Sequence, residues 1–215
     1  MTRVHCYSRD QYNIVTQVEC LVHPNLEFIW VNIPKNSSTM INGYLKKQEW
    51  NNTNLGNSLN QDKIFLIVLR DPLDRWASGM AEYMYRYHPN FDFDQVTDLL
   101  KEIIIKQKFF DEHAFPQCAF IDQLPIEQCV YFKMDDYLVP NLQDYLQRHC
   151  NVVDNSLQYV GRSNTAKDFV MKQKLKDFFL DMISLPKYRE SIEDFYKYDI
   201  FLYNSVTYYQ RPTGV

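Results

Sequence analysis

Apolar residues recur along this chain in two ways: as short unbroken runs, which suit buried strands, and at intervals of three and four, which suit one face of a helix. Positions 28–33, Phe-Ile-Trp-Val-Asn-Ile, form one run, and 63–69, Lys-Ile-Phe-Leu-Ile-Val-Leu, form the strongest. A strand apolar along its whole length is one covered on both faces. Positions 128–133 read as a third such strand, and two further β segments are expected around 3–7 and 13–22. Helical spacing recurs in Met40, Ile41, Tyr44 and Leu45, and again in Leu73, Trp76, Ala77, Met80, Ala81 and Met84. It returns in Leu138, Leu142, Tyr145, Leu146 and His149, and in Met171, Leu175, Phe178, Phe179 and Met182. Another helix is expected over 94–108, and a last one around 192–196 leads into a strand or an extended tail.

The residues between these segments mark their ends. Pro34 stops the first run, and Ser37, Ser38 and Thr39 behind it are N-cap candidates for the next helix. Asp71 is placed to cap, and Pro72 to open, the helix that follows the second run. On that helix Arg75, Ser78 and Glu82 fall away from the apolar stripe, which predicts exposed positions for them. Pro89, Pro116 and Pro186 each end or exclude a helix. The Asn-rich stretch 51–62 predicts a surface loop, 151–164 an irregular segment, and Lys172, Lys174 and Lys176 a solvated helix face. Strands alternating with helices predict an α/β fold, a three-layer sandwich with a mainly parallel central sheet, as a single domain over 1–215. In such sheets ligands gather at the carboxyl ends of strands. Lys35 and Arg70 both stand at such ends, and neighbouring strands would place them in one crevice.

Composition narrows the function classes. The chain of 215 residues is 46% hydrophobic, with 16 Tyr and 14 Phe, enough for one sizeable aromatic-rich core. Its 5 Gly argue against a glycine-rich loop, and its net charge of −4 argues against broad nucleic-acid binding. Five cysteines without a CxxC pair predict free thiols in a reducing compartment. His5, His23, His88, His113 and His149 are scattered, so no metal-ligand spacing is present. No signal sequence or membrane-spanning run is visible, which predicts a cytoplasmic protein or an excised lumenal catalytic domain. The glycosylation sequons at Asn36 and Asn51 read as chance matches.

The candidate chemistry sits at the two junctions. A strand feeding a helix through 34–39 turns the helix's first N–H groups and positive dipole end toward the loop, a natural anion site. Lys35 and three hydroxyls there suit phosphate or sulfate; the competing reading is an ordinary polar turn. Arg70 ends the second strand, where its guanidinium can hold another phosphate bidentately, with the Ser78 hydroxyl as a further donor. The loop lacks G-x-x-x-x-G-K-[ST], and arginine stands where an NTPase would carry aspartate. Two anion sites on adjacent junctions fit a nucleotide phosphorylated at both its 5′ and 3′ ends.

At these residues the chain resembles the sulfotransferases that use 3′-phosphoadenosine-5′-phosphosulfate (PAPS). Residues 34–39, Pro-Lys-Asn-Ser-Ser-Thr, look like the family's 5′-phosphosulfate loop, and 70–78 match its 3′-phosphate motif, R-[DE]-P-x-x-R-x-x-S. The segment from His113 to Gln117, with the strand at 131–136, is similar to the H-x-x-P-Q region of the Golgi-type carbohydrate sulfotransferases, and 161–165 to their late nucleotide-closing loop. The resemblance implies a P-loop-like fold shared with nucleotide kinases, PAPS as donor, no metal, and a carbohydrate or other hydroxyl-bearing acceptor. It implies that Lys35 stabilises the leaving phosphate, that Asn36, Ser37, Ser38 and Thr39 hold the 5′-phosphate, and that Arg70 and Ser78 bind the 3′-phosphate. Arg162, Asn164 and Thr165 would reach the adenine or 3′-phosphate. His113 is the first candidate for general base, because imidazole titrates in the useful range, and Glu82 is the second. The family usually has glycine where Ser37 stands; this departure implies either a less close approach of the phosphate or the left-handed conformation at Asn36 instead. The competing functions are a nucleotide kinase of related architecture and a catalytically silent module that binds PAPS or anionic glycans.

Overall fold

The apolar runs become strands and the spaced stripes become helices. The computed structural model describes residues 18–57, 62–88, 90, 92, 112–122, 124–150, 152, 157 and 166–212. The β segment expected at 3–7 and the helix expected at 94–108 lie outside these residues. Chain contacts divide the protein into two compact units, one of 1–70, 117–161 and 205–215, the other of 71–116 and 162–204.

The first unit is built on a sheet. Its elements are β1 (Glu19–Val22), β2 (Phe28–Val31), α1 (Ser38–Lys47), β3 (Asn51–Asn54) and β4 (Ile64–Leu69), then β5 (Cys129–Lys133) and the helix Leu138–Cys150, α3 in chain order. The strands lie in the order β3-β1-β2-β4-β5. β1 runs antiparallel to β2 and β3, whereas β2, β4 and β5 are parallel, so the sheet is mixed. The short link between β1 and β2 suits an antiparallel pair, while β2 reaches β4 only after α1, as a parallel pair requires. β3 corrects the expectation of a loop at 51–54: Asn51 to Asn54 pair with Val22 to Glu19. Strand propensity there is poor, but main-chain pairing at a sheet edge tolerates polar side chains.

Leu21, Trp30, Leu66, Val68 and Phe132 share one core with Ile41, Tyr44 and Leu45 of α1 and with Leu138, Leu142, Tyr145 and Leu146 of α3. Alternate residues on the other face, Ile29, Val31, Phe65 and Ile67, are equally inaccessible, as a run without polar interruption predicts. The chain ends in the expected extended tail. Tyr208 bridges Tyr131, the Tyr209 amide donates to the Tyr131 carbonyl at 2.8 Å, and the Tyr209 hydroxyl donates to Asp144 Oδ2 at 2.6 Å.

The second unit is helical: α2 (Pro72–Tyr87), α4 (Ala166–Ser184), α5 (Pro186–Phe195) and most of α6 (Lys197–Ser205). Asp71 caps α2 as expected, accepting from the Leu73 and Asp74 amides at 3.1 and 2.9 Å. The apolar stripe of α2 meets α4, where Trp76 and Phe179 stack edge to face with centroids 5.6 Å apart. Several expectations change here. Arg75 and Glu82 are buried rather than exposed. Lys172 pairs with Glu82 at 3.0 Å and Lys176 with Asp74 at 2.5 Å, so these two lysines bind α4 to α2, while Lys174 is exposed as the solvated-face reading expects. Met171 is exposed, and α6 precedes the tail. Helical periodicity locates a stripe but does not reveal which polar residues beside it will meet a partner of opposite charge.

Candidate anion-binding site

In the first unit, residues 34–37 turn between β2 and α1. Lys35 and Ser37 have φ of 68° and 59°, left-handed values that cost a residue with a Cβ about 1–2 kcal/mol each. Asn36, between them, has no positive φ, so the left-handed role expected of Asn36 falls to its two neighbours. The position where the resemblance leads one to expect glycine is therefore one whose backbone favours glycine. Ser37 is the N-cap of α1 by position only: its backbone is not in the extended region that aims a capping oxygen, and its side chain makes no capping bond. Ser38 and Thr39 open the helix, whose first N–H groups have no acceptor within it.

Because β2 and β4 are parallel neighbours, their carboxyl ends lie side by side. Arg70, 9% exposed, donates from Nη1 to the Lys35 carbonyl at 2.7 Å. This uses one of the five guanidinium N–H donors and joins the two motif-bearing junctions directly. The Asn36 amide nitrogen donates to the Val68 carbonyl at 2.8 Å and to Gln117 Oε1 at 2.7 Å, and the residue is 1% exposed. The side chain of Asn36 therefore ties the loop to β4, and its main-chain N–H donates to the Ile33 carbonyl at 3.3 Å within the turn. The same burial and bonding leave no room for a glycan at Asn36.

Gln117 was not a predicted site residue, yet the junction is organised around it. It is fully buried; Nε2 donates to the Arg70 carbonyl at 2.7 Å and Oε1 accepts from the Arg70 amide at 3.0 Å. One primary amide thus satisfies both main-chain groups of Arg70 as a neighbouring strand would. The signal for it in the sequence is a glutamine directly after the helix-excluding Pro116, in the segment similar to H-x-x-P-Q.

The second unit holds the candidate bases and Ser78. Ser78 is half-buried on α2. The carboxylate of Glu82 is held by Arg86 at 2.6 Å and Lys172 at 3.0 Å. His113 is half-buried in the irregular segment before Pro116. A Cβ added at Gly79 would stand 2.7 Å from the His113 carbonyl carbon and 3.0 Å from the Ala114 nitrogen, so the segment lies against the bare backbone of α2. Arg75 donates from Nη1 to the Phe115 carbonyl, and the Tyr196 hydroxyl donates to the Ala114 carbonyl. Arg162, Asn164 and Thr165 lie outside the described residues.

Among the described residues no cluster of His, Cys, Asp and Glu could hold a metal ion, and no helix is long and apolar enough to cross a membrane. Burial pushes the Cys20 and Cys150 thiols up to about 12 and the Cys129 thiol to about 11, away from reactive thiolate character. Compared with known proteins, the chain matches no family model, no curated protein and no solved structure.

Proposed function

We propose that this protein is a sulfotransferase that moves a sulfuryl group from PAPS to a hydroxyl or amine of an acceptor, with a carbohydrate as the acceptor class. One observation carries the reading: the Lys35 loop and Arg70 leave adjacent parallel strands and are hydrogen-bonded to each other at 2.7 Å. A cation and helix N-terminus at one strand end, beside a guanidinium at the next, suit an anionic nucleotide with two separated phosphate groups. The parallel trio β2, β4 and β5 is in keeping with a P-loop-like sheet.

In the proposed reaction the acceptor oxygen attacks sulfur in line, the bond from sulfur to the bridging oxygen breaks, and adenosine 3′,5′-bisphosphate leaves. Lys35 offsets the charge developing on the leaving phosphate, the kind of fixed electrostatic assistance that contributes most when it is preorganised. Arg70 holds the 3′-phosphate, with Ser78 assigned the same phosphate by the resemblance. His113 takes the acceptor proton in preference to Glu82, whose carboxylate already engages two cations.

Thermal shift with adenosine 3′,5′-bisphosphate, ADP and ATP tests the donor. Clear preference for the 3′,5′-bisphosphate, lost in Arg70→Ala, is expected. Equal shifts with ADP would sink the assignment and favour a kinase. Transfer from labelled PAPS should vanish in Lys35→Ala and His113→Ala while nucleotide binding persists; binding without any turnover by the wild type would leave a silent module.

A further inference from the structure

We propose that Arg75, together with Gly79 and Tyr196, is a positioning residue for His113, holding the backbone of residues 113–115 so that the imidazole is presented in one place. The inference rests on reading the chain as a PAPS-dependent sulfotransferase with His113 as base. All the residues involved belong to the second unit.

Residues 112–116 form no regular element, so their carbonyls obtain no partners from a helix or sheet ladder. Three successive carbonyls are instead held by three different devices. That of His113 packs on Gly79, where any side chain would collide with it. That of Ala114 accepts the Tyr196 hydroxyl, and that of Phe115 accepts Arg75 Nη1. Arg75 and Gly79 are four residues apart on α2 and therefore share a face. Arg75 is 0% exposed and Tyr196 is 2% exposed. A fully buried guanidinium that donates to the Phe115 carbonyl holds that part of the segment in place. The motif R-D-P-x-x-R-x-x-S then divides its labour: Arg70 faces the donor loop, and Arg75 fixes the segment that carries the base.

The test compares Arg75→Ala, Arg75→Lys, Gly79→Ala and Tyr196→Phe with wild type and His113→Ala. It measures turnover of labelled PAPS with a mixed set of desulfated glycosaminoglycans, and binding of adenosine 3′,5′-bisphosphate. A displacement of a catalytic group by about 1 Å can cost about 100-fold in rate. For Arg75→Ala and Gly79→Ala, kcat should therefore fall about 10- to 100-fold, with KM for PAPS and nucleotide affinity within about twofold of wild type. Added guanidinium ion should restore part of the rate to Arg75→Ala and none to His113→Ala, which a merely destabilised protein would not show. Tyr196→Phe, the mildest change, keeps the test decisive if the Gly79 variant does not fold; its kcat should fall less, again at constant KM. Wild-type kcat in Arg75→Ala and Tyr196→Phe, or weakened nucleotide binding in Arg75→Lys with turnover otherwise intact, overturns the positioning role and leaves the sulfotransferase reading standing. A wild-type protein that binds no adenosine 3′,5′-bisphosphate or does not turn over PAPS overturns that reading, and this inference with it.

Discussion

Gln117 grips Arg70 by its main chain, donating to the carbonyl at 2.7 Å and accepting from the amide at 3.0 Å. The guanidinium of Arg70 is thereby anchored at its root, while Oε1 of the same glutamine also receives the Asn36 amide at 2.7 Å. A side chain far along the sequence fixes both halves of the candidate donor site.

Truncating that side chain should cost more than an average substitution. Gln117→Ala leaves buried main-chain groups of Arg70 without partners, at about 1–3 kcal/mol for each unsatisfied group. A loss of about 2–4 kcal/mol in denaturant unfolding is expected, together with weaker binding of adenosine 3′,5′-bisphosphate. Gln117→Glu keeps the acceptor but cannot donate to the Arg70 carbonyl, and should fall between. Unchanged midpoints in both variants would show that the clamp contributes nothing.

Ser37 adopts φ of 59° with a Cβ in place. Ser37→Gly should relieve that strain, partly offset by the greater freedom of glycine in the unfolded chain, for a net gain of about 0.5–1 kcal/mol. In a protein of this size that is a rise of about 1–4 °C in Tm. Ser37→Val should move Tm the other way. A lower Tm for the glycine variant would remove strain as the explanation.

Alkaline pH should destabilise the fold before it affects lysines. The unfolded chain releases thiol protons from about pH 8.5, whereas burial keeps Cys20 and Cys150 protonated to about 12. The folded pKa is the higher, so stability is full below the unfolded value and is lost as pH rises toward the folded one. The slope is about 1.4 kcal/mol per pH unit for each thiol. Cys150→Ala should flatten this decline in unfolding measurements between about pH 9 and about pH 11. An equally steep decline would assign it to other groups.

At the acid end the sign reverses. The Tyr209 hydroxyl, then Arg148, holds the Asp144 carboxyl below its usual range. Its contribution is present above the unfolded value of about 3.9 and is lost as pH falls through the folded one. Tyr209→Phe should therefore narrow the stability difference between neutral and acid solution, because it removes the bond that holds the Asp144 carboxyl low. Identical acid profiles would show that Arg148 rather than Tyr209 holds the Asp144 carboxyl low.

By itself the sequence determined β2 and β4, the stripes of α1, α2 and α3, and the Asp71 cap, because each depends on neighbours within a few residues. Unbroken apolar runs and fixed spacings are local properties of the chain, and so is a proline's refusal to continue a helix. Only the tertiary structure decided the rest. The strand at 51–54 exists because β1 offers it partners, and Lys172 and Lys176 are structural because α4 lies on α2. Burial of Arg75 and Glu82, the grip of Gln117 on Arg70 and the fit of His113 against Gly79 all join residues distant in sequence. A polar side chain carries no mark of the carbonyl it will meet. That meeting is set by which backbones the packed core brings together.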